Sequence, residues 1–240
     1  MISCISGLPG MGKNVYATYL AKKHFNKENN LLKRFVRKIK HKELYVNNVY
    51  STYPIILNKK KKIYSNMITL DDLDNTYKFK HNALIIIDEV QSFYDSDEFK
   101  KFPRRIAVFN QFHRHFGIKD IYYISQHPSR IVKKLRNVSC SFIKIRKFKI
   151  IPIIGLGLMY ITNYYEFDDY GKWHHPPKEQ KTYDVDNHFK FFFVKPIFKS
   201  YNSVYLKVLN EDKPLYDKGT FSTTYLTEDE VHKIFNDIGI

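Results

Sequence analysis

Cysteine is nearly absent: the 240 residues hold two, Cys4 and Cys140, each within an apolar run and without a CxxC or His-rich neighbour. That excludes a disulfide framework and a cysteine-based zinc site, and it predicts reduced, structural thiols in a cytosolic setting. Long apolar runs are missing too. The longest uncharged stretch, Ile150 to Tyr165, is broken by Pro152, Gly155, Gly157 and Asn163. It is shorter than the ~20 apolar residues a spanning helix needs, and reads as strand material. The N-terminal run Ile2–Ser6 has five residues and no basic flank, so no signal peptide is visible. There is no internal repeat and no low-complexity tract. Acid is scarce: 24 Asp and Glu face 40 Lys and Arg, a net charge of +16. That balance favours a polyanionic partner, either nucleic acid or an anionic membrane face. The length suits one large α/β domain, with or without a small annex.

What is present begins at once. Ile2–Ser6 leads into Gly7-Leu8-Pro9-Gly10-Met11-Gly12-Lys13-Asn14, which is G-x-x-x-x-G-K with Asn in place of the usual Ser or Thr. Val15, Tyr16, Tyr19 and Leu20 then recur at helical spacing. A strand, a glycine turn and a helix are the context this phosphate loop needs. Glycines let the backbone N–H groups of Gly7 to Val15 turn toward phosphate oxygens, and the helix N-terminus adds its partial positive charge. Lys13 reaches the β- and γ-phosphates. At Asn14 a Ser or Thr hydroxyl would normally help hold Mg²⁺. The amide carbonyl is a hard oxygen of different reach. Either Asn14 or an extra water completes the metal shell, or hydrolysis is slow.

The second anchor is Ala83-Leu84-Ile85-Ile86-Ile87-Asp88-Glu89. A continuous apolar run of this length is a strand buried on both faces of a parallel sheet. Its two acids end in the crevice at the carboxyl edge, beside the glycine loop. Asp88 is expected to hold Mg²⁺, and Glu89 to polarise the attacking water.

Between these anchors, residues 21–62 carry thirteen Lys or Arg against Glu28 and Glu43. Leu32, Phe35, Val36 and Ile39 fall on one helical face and Lys33, Arg34, Arg37, Lys38 and Lys40 elsewhere, a basic amphipathic helix. It could show its charges to DNA, lie on an anionic membrane, or be a solvated surface helix. Val46 to Ile56 reads as a strand ending at Pro54, and Lys59–Lys62 as a basic loop or hairpin tip. Asp71, Asp72 and Asp74 follow Thr69, which caps a short helix. A solvated helix end outweighs a metal reading there. Residues 104–116 form a helix ended by Gly117. Asp120–Ser125 is the next strand, with Gln126 at its end placed to sense the γ-phosphate or orient water. His127-Pro128-Ser129-Arg130 turns into a basic helix, Ile131 to Arg136. Val138–Lys147 and Pro152–Phe167 suggest a hairpin, and Trp173, Pro176 and Pro177 a loop. Arg104, Arg105, Arg114 and Arg130 are candidates for a cation donated to a neighbouring subunit's site, Arg130 first and Arg114 second.

Several blocks together resemble the Zot (zonula occludens toxin-like) family, which includes the assembly ATPases of filamentous phages. They are Gly7-x-Pro9-Gly10-x-Gly12-Lys13, Ile87-Asp88-Glu89-Val90-Gln91, Arg114-His115-x-Gly117, Asp120-Ile121 and Gln126-His127-Pro128-Ser129-Arg130-Ile131. Phe198-Lys199-Ser200-Tyr201 resembles the close of the same domain. The resemblance implies an α/β P-loop NTPase core, RecA-like and of the FtsK–HerA type. Its mainly parallel sheet is flanked by helices and carries a C-terminal β-hairpin extension. The expected domain spans 1–203, with 204–240 as a tail. The resemblance also implies ATP and Mg²⁺, and a homo-oligomer that moves phage single-stranded DNA or nucleoprotein out through the host inner membrane with other phage assembly proteins. The chain departs from the family at Asn14, and no membrane-spanning helix follows the domain. The expected location is therefore the host cytoplasm, peripheral to the inner membrane. Three other readings compete: a DNA-packaging ATPase, a nucleotide kinase, and a non-hydrolysing, nucleotide-gated DNA- or membrane-binding scaffold. The Asp88-Glu89 pair favours hydrolysis over transfer.

Overall fold

The computed structural model describes residues 1–68, 72–73, 79–92, 94, 102–151, 155–164, 185–193 and 195–201. Strand β1 (Ile2–Ser6) is buried at every residue and passes through the loop into α1 (Lys13–Glu28). A second helix, α2 (Leu31–Ile39), begins at Asn30, whose side chain caps the Lys33 N–H. The chain then forms β2 (Val49–Ser51) and the two-stranded hairpin β3 (Ile56–Asn58) and β4 (Ile63–Tyr64). It continues through β5 (Asn66–Met67) and β6 (Ala83–Ile87) to α3 (Arg104–Gln111) and β7 (Ile118–Ser125). The remainder is α4 (Lys133–Val138), β8 (Ser141–Ile151), β9 (Leu156–Tyr164), β10 (Val185–Phe193) and the short α5 (Lys195–Phe198).

Eight strands make one sheet in the order β10-β9-β8-β1-β7-β6-β2-β5. From β8 to β5 every pairing is parallel; β9 and β10 add antiparallel strands beyond β8. Parallel strands need both faces covered, and two apolar clusters do this. Tyr50, Leu73, Phe79, Ile85, Phe109 and Tyr123 belong to one; Val15, Phe25, Tyr53, Ile86, Ile124 and Met159 belong to the other. Because β7 lies between β1 and β6, the glycine loop and Asp88-Glu89 emerge one strand apart at the same carboxyl edge. This is the RecA-like arrangement that the resemblance implies.

Several boundaries differ from those read in the sequence. The expected strand Val46–Ile56 is split into β2 and β3 by a turn in which Ser51 Oγ donates to the Tyr53 carbonyl. The helix expected over 104–116 stops at Gln111, and consecutive turns carry the chain to Gly117 at φ 79°. The basic helix starts at Lys133 rather than Ile131. The expected hairpin is β8–β9, but β8 is also parallel to β1, so the extension is continuous with the core sheet. Lys59–Lys62 is the exposed tip of the β3–β4 hairpin. Both cysteines are free; Cys4 is buried, and Cys140 is exposed with its Sγ donating to the Ile2 carbonyl at 3.1 Å. Asp72 is buried, while Thr69, Asp71, Asp74, Pro152, Trp173, Pro176, Pro177 and the tail 204–240 lie outside the described residues.

Candidate functional site

The loop is shaped by close approach. A side chain at Gly7 would place its Cβ 2.8 Å from the Ile145 carbonyl oxygen of β8. Gly12 adopts φ 84° at the entry of α1, the left-handed region that glycine tolerates. Leu8, Pro9 and Gly10 are exposed at the rim, and Met11 is partly buried against the core. The Val15 side chain is core, 2% exposed. The first N–H groups of α1 have no intrahelical partner and open toward the loop.

Lys13 is 7% exposed, and its Nζ donates to the carbonyls of Gly7 (2.8 Å) and Leu8 (3.3 Å). Burial pulls its pKa down, and the carboxylates of Glu89 and Asp88 pull it partly back up. The loop thus holds a buried cation against backbone oxygens, where an anion would compete for it.

Asn14 is the residue whose chemistry the sequence left open. Its Nδ2 donates to Asp88 Oδ2 at 2.7 Å. The carboxylate can only accept, so the amide nitrogen must face it and the carbonyl oxygen Oδ1 is left for another partner. A Ser or Thr hydroxyl does both jobs with one oxygen, donating its proton to the acid and offering a lone pair to the metal. Asn14 divides those jobs between two atoms. The donor set therefore fits Mg²⁺, for which Asn14 Oδ1 and the Asp88 carboxylate would be the hard oxygen ligands.

Asp88 itself is held from three sides. Its N–H donates to Thr52 Oγ1 (2.9 Å), and its Oδ1 accepts the Glu89 N–H (2.9 Å). Burial first, then the neighbouring Glu89, pushes its pKa up to about 6, against the opposing effects of Asn14, the Glu89 N–H and Lys13. Glu89 stands at φ 48°, a left-handed conformation that is unusual for Glu. Its Oε2 accepts a hydrogen bond from the buried Gln91 amide. Behind the pair lie Tyr53, fully buried, and Tyr201; both feel Asp88, which joins burial in raising their pKa values.

Gln126 directly follows β7, and its carbonyl accepts the Gly7 N–H at 3.4 Å, so it borders the loop as expected. Arg130 lies exposed in the short turn Pro128–Arg130 at the same edge. Arg114 is elsewhere. It lines an open groove with Met1, His81, Asn82 and Asp120 at the amino edge of the sheet, so it is not brought to this chain's own loop. Arg104 and Arg105 are exposed on the first turn of α3.

Sequence reading missed several contributors. Thr52 carries no local motif and is found only through the alignment of β2 beside β6. Gln91 was visible as part of Asp88-Glu89-Val90-Gln91, but its grip on Glu89 was not. Lys144 pairs in register with Ser6, the last residue before the loop, and adds a half-buried cation that burial and Arg146 pull down in pKa. Among the described residues there is no cluster of three or more His, Cys, Asp or Glu that could hold a metal, and no helix is long and apolar enough to cross a membrane.

The chain is similar in structure to the N-terminal domain of zonular occludens toxin from Neisseria meningitidis, with 16% identity and a TM-score of 0.53 over 84% of this chain and 98% of that one. It also matches the genome packaging NTPase B204 of Sulfolobus turreted icosahedral virus 2 bound to ATP-γS, with 15% identity and a TM-score of 0.37 over 81% and 93%. A KaiC-like protein from the hyperthermophilic archaeon Pyrococcus horikoshii matches with 9% identity and a TM-score of 0.36 over 79% and 82%. No curated protein sequence matches. The family model of zonular occludens toxin (Zot) matches residues 1–207, and the chain belongs to that family.

Proposed function

We propose that the chain is a Mg²⁺-dependent ATPase that drives phage virion assembly by moving single-stranded DNA out through the host inner membrane. The observation that carries the chemistry is the Asn14–Asp88 bond at 2.7 Å beside the buried Lys13. It brings the phosphate-binding loop and the acid strand into one site and leaves Asn14 Oδ1 and the remaining lone pairs of the Asp88 carboxylate for a metal. Mg²⁺, when bound, supplies charge that neutralises the phosphate oxygens. Lys13 exchanges its Gly7 and Leu8 carbonyls for phosphate oxygens. Glu89, held by Gln91, takes the proton of the attacking water. Gln126 orients that water, and Arg130 of an adjacent copy supplies a cation to the transferring group. In this reading Arg114 ranks behind Arg130, because it stands at the opposite edge of the sheet. The motor domain is residues 1–203.

The DNA assignment draws on the net charge of +16 and on family membership. The same charge and the same site would serve packaging of DNA into a capsid, which is the second reading. Phosphate release, measured with Mg²⁺ and with or without single-stranded DNA, tests the proposal. Turnover should require Mg²⁺, rise with DNA and vanish in Glu89→Gln while nucleotide affinity persists. Nucleotide binding without turnover in the wild-type chain would refute the motor and leave a nucleotide-gated scaffold.

A further inference from the structure

Helix α2 is mounted the wrong way round for a soluble protein. At about 100° per residue, Leu31, Leu32, Phe35, Val36 and Ile39 share an arc of roughly 140°, and the five cations fill the rest. An ordinary surface helix turns its apolar arc inward. Here three of those cations face the body: Lys33 Nζ bonds Glu28 (3.0 Å), Arg37 bonds the Asn29 side chain (3.1 Å) and the Glu28 carbonyl (2.9 Å), and Arg34 lies 5.0 Å from the Tyr45 ring centre. No residue of the helix is buried. The apolar side chains point away, Leu31 76%, Leu32 78%, Phe35 63%, Val36 48% and Ile39 61% exposed. Lys38, Lys40 and Lys42 are exposed beside them.

We infer that α2 is an in-plane anchor for an anionic phospholipid bilayer. Nine residues rise about 14 Å, too short to span a membrane but suited to lie at its surface. The apolar arc enters the acyl boundary while the flanking lysines meet lipid phosphates. Charge decides among the possible occupants. A second copy of the same face would set like charges against each other around the apolar strip. A nucleic acid would engage the lysines but leave five apolar side chains in water. An anionic bilayer satisfies both.

The test is co-sedimentation of the full chain, without nucleotide, with phosphatidylcholine vesicles carrying about one-third phosphatidylglycerol, and with pure phosphatidylcholine. The wild-type chain should bind the anionic vesicles and not the neutral ones. A chain with Leu32→Ser, Phe35→Ser and Ile39→Ser should lose at least about tenfold in vesicle affinity. A chain with Lys38→Gln and Lys40→Gln should lose roughly thirtyfold. All five positions are exposed, so nucleotide affinity should be unchanged, which controls for folding. Equal binding to neutral vesicles, or undiminished binding by the triple-Ser chain, would overturn the inference. So would a triple-Ser chain that keeps vesicle binding but loses self-association or single-stranded DNA binding, which would assign the face to a second copy or to nucleic acid.

Discussion

Replacing Asp88 by Asn should stabilise the ligand-free chain and abolish its turnover. The carboxyl is 6% exposed, and its pKa rises from 3.8 to about 6 on folding. Below about pH 4 the acid is protonated in both states and costs nothing. Between 4 and 6 only the unfolded chain ionises it, so folding stability falls as pH rises, and above 6 the penalty is constant. A shift of about two units corresponds to about 3 kcal/mol at neutral pH. Asparagine removes that penalty. It keeps one acceptor for Asn14 Nδ2 but turns an NH₂ toward the Glu89 N–H, at a cost of about 1–2 kcal/mol. The net gain should be about 1–2 kcal/mol at pH 7. Urea unfolding of both chains without Mg²⁺ or nucleotide measures it. The advantage should shrink as pH falls below about 6, vanish near 5 and reverse by about 1–2 kcal/mol near 4, where only the cost of the amide remains. An Asp88→Asn chain that is less stable than the wild type at neutral pH, or a difference independent of pH, would refute the argument that burial of the ionised acid dominates.

Lys13→Ala should abolish nucleotide binding, because the loop loses its buried cation; an unchanged affinity in a binding titration would remove the phosphate-loop assignment. Asn14→Thr should keep turnover equal or higher, whereas Asn14→Ala, which leaves Asp88 without its amide donor, should raise the Mg²⁺ concentration needed for turnover; equal effects would mean that the amide is not used. Gly7→Ala should destabilise the fold by about 1–3 kcal/mol, since its Cβ meets a backbone oxygen at 2.8 Å. Gly10→Ala, with open space around it, should cost only the left-handed strain of about 1–2 kcal/mol; thermal unfolding ranks the two. Replacing Lys59–Lys62 by Ser should flatten the salt dependence of single-stranded DNA binding, at about 0.7 in log–log slope per lost contact; an unchanged slope would move the DNA path elsewhere.

The loop, the acid strand and their shared edge were legible because each is local: an apolar run, then glycines or acids at its end. What was not legible depended on tertiary partners. Periodicity revealed the two faces of α2 but not which one meets the body, since that choice is made by Glu28, Asn29 and Tyr45. Strand β10 was missed because Phe191-Phe192-Phe193 is apolar on both sides. Only Phe192 of the three is buried, at 6%, where it stacks on Phe148 and Tyr19. The break after β2 looked like continuous strand because Ser51, which turns the chain by bonding the Tyr53 backbone, is an ordinary strand residue by composition, and the role of the turn residue Thr52, which accepts the Asp88 N–H, depends on a partner 36 residues away. Arg130 ranked ahead of Arg114 in sequence because it follows Gln126, and the direction of β7 between them sends Arg114 to the opposite edge.

The antiparallel extension serves the nucleotide loop directly. Gly7 lies against the Ile145 backbone, and an added Cβ at Gly12 would meet Phe148 and Met159 at 3.2 Å. So β8 and β9 form the floor on which the loop turns, and the glycines at both ends of the motif answer to that floor as well as to phosphate. Phe148 in turn stacks with Phe192 of β10 and contacts Phe198 of α5. The segment after α5 returns to the separate β3–β4 hairpin. Ser200 accepts a bond from Lys22 on α1 (2.7 Å), its carbonyl accepts the Ile56 N–H, and Tyr201 pairs with Ile55 beside Tyr53. The path from loop to floor to closing segment ends at a tyrosine that feels Asp88. A loop residue and Asp88 are therefore joined twice, directly through Asn14 and around the domain through Ser200 and Tyr201.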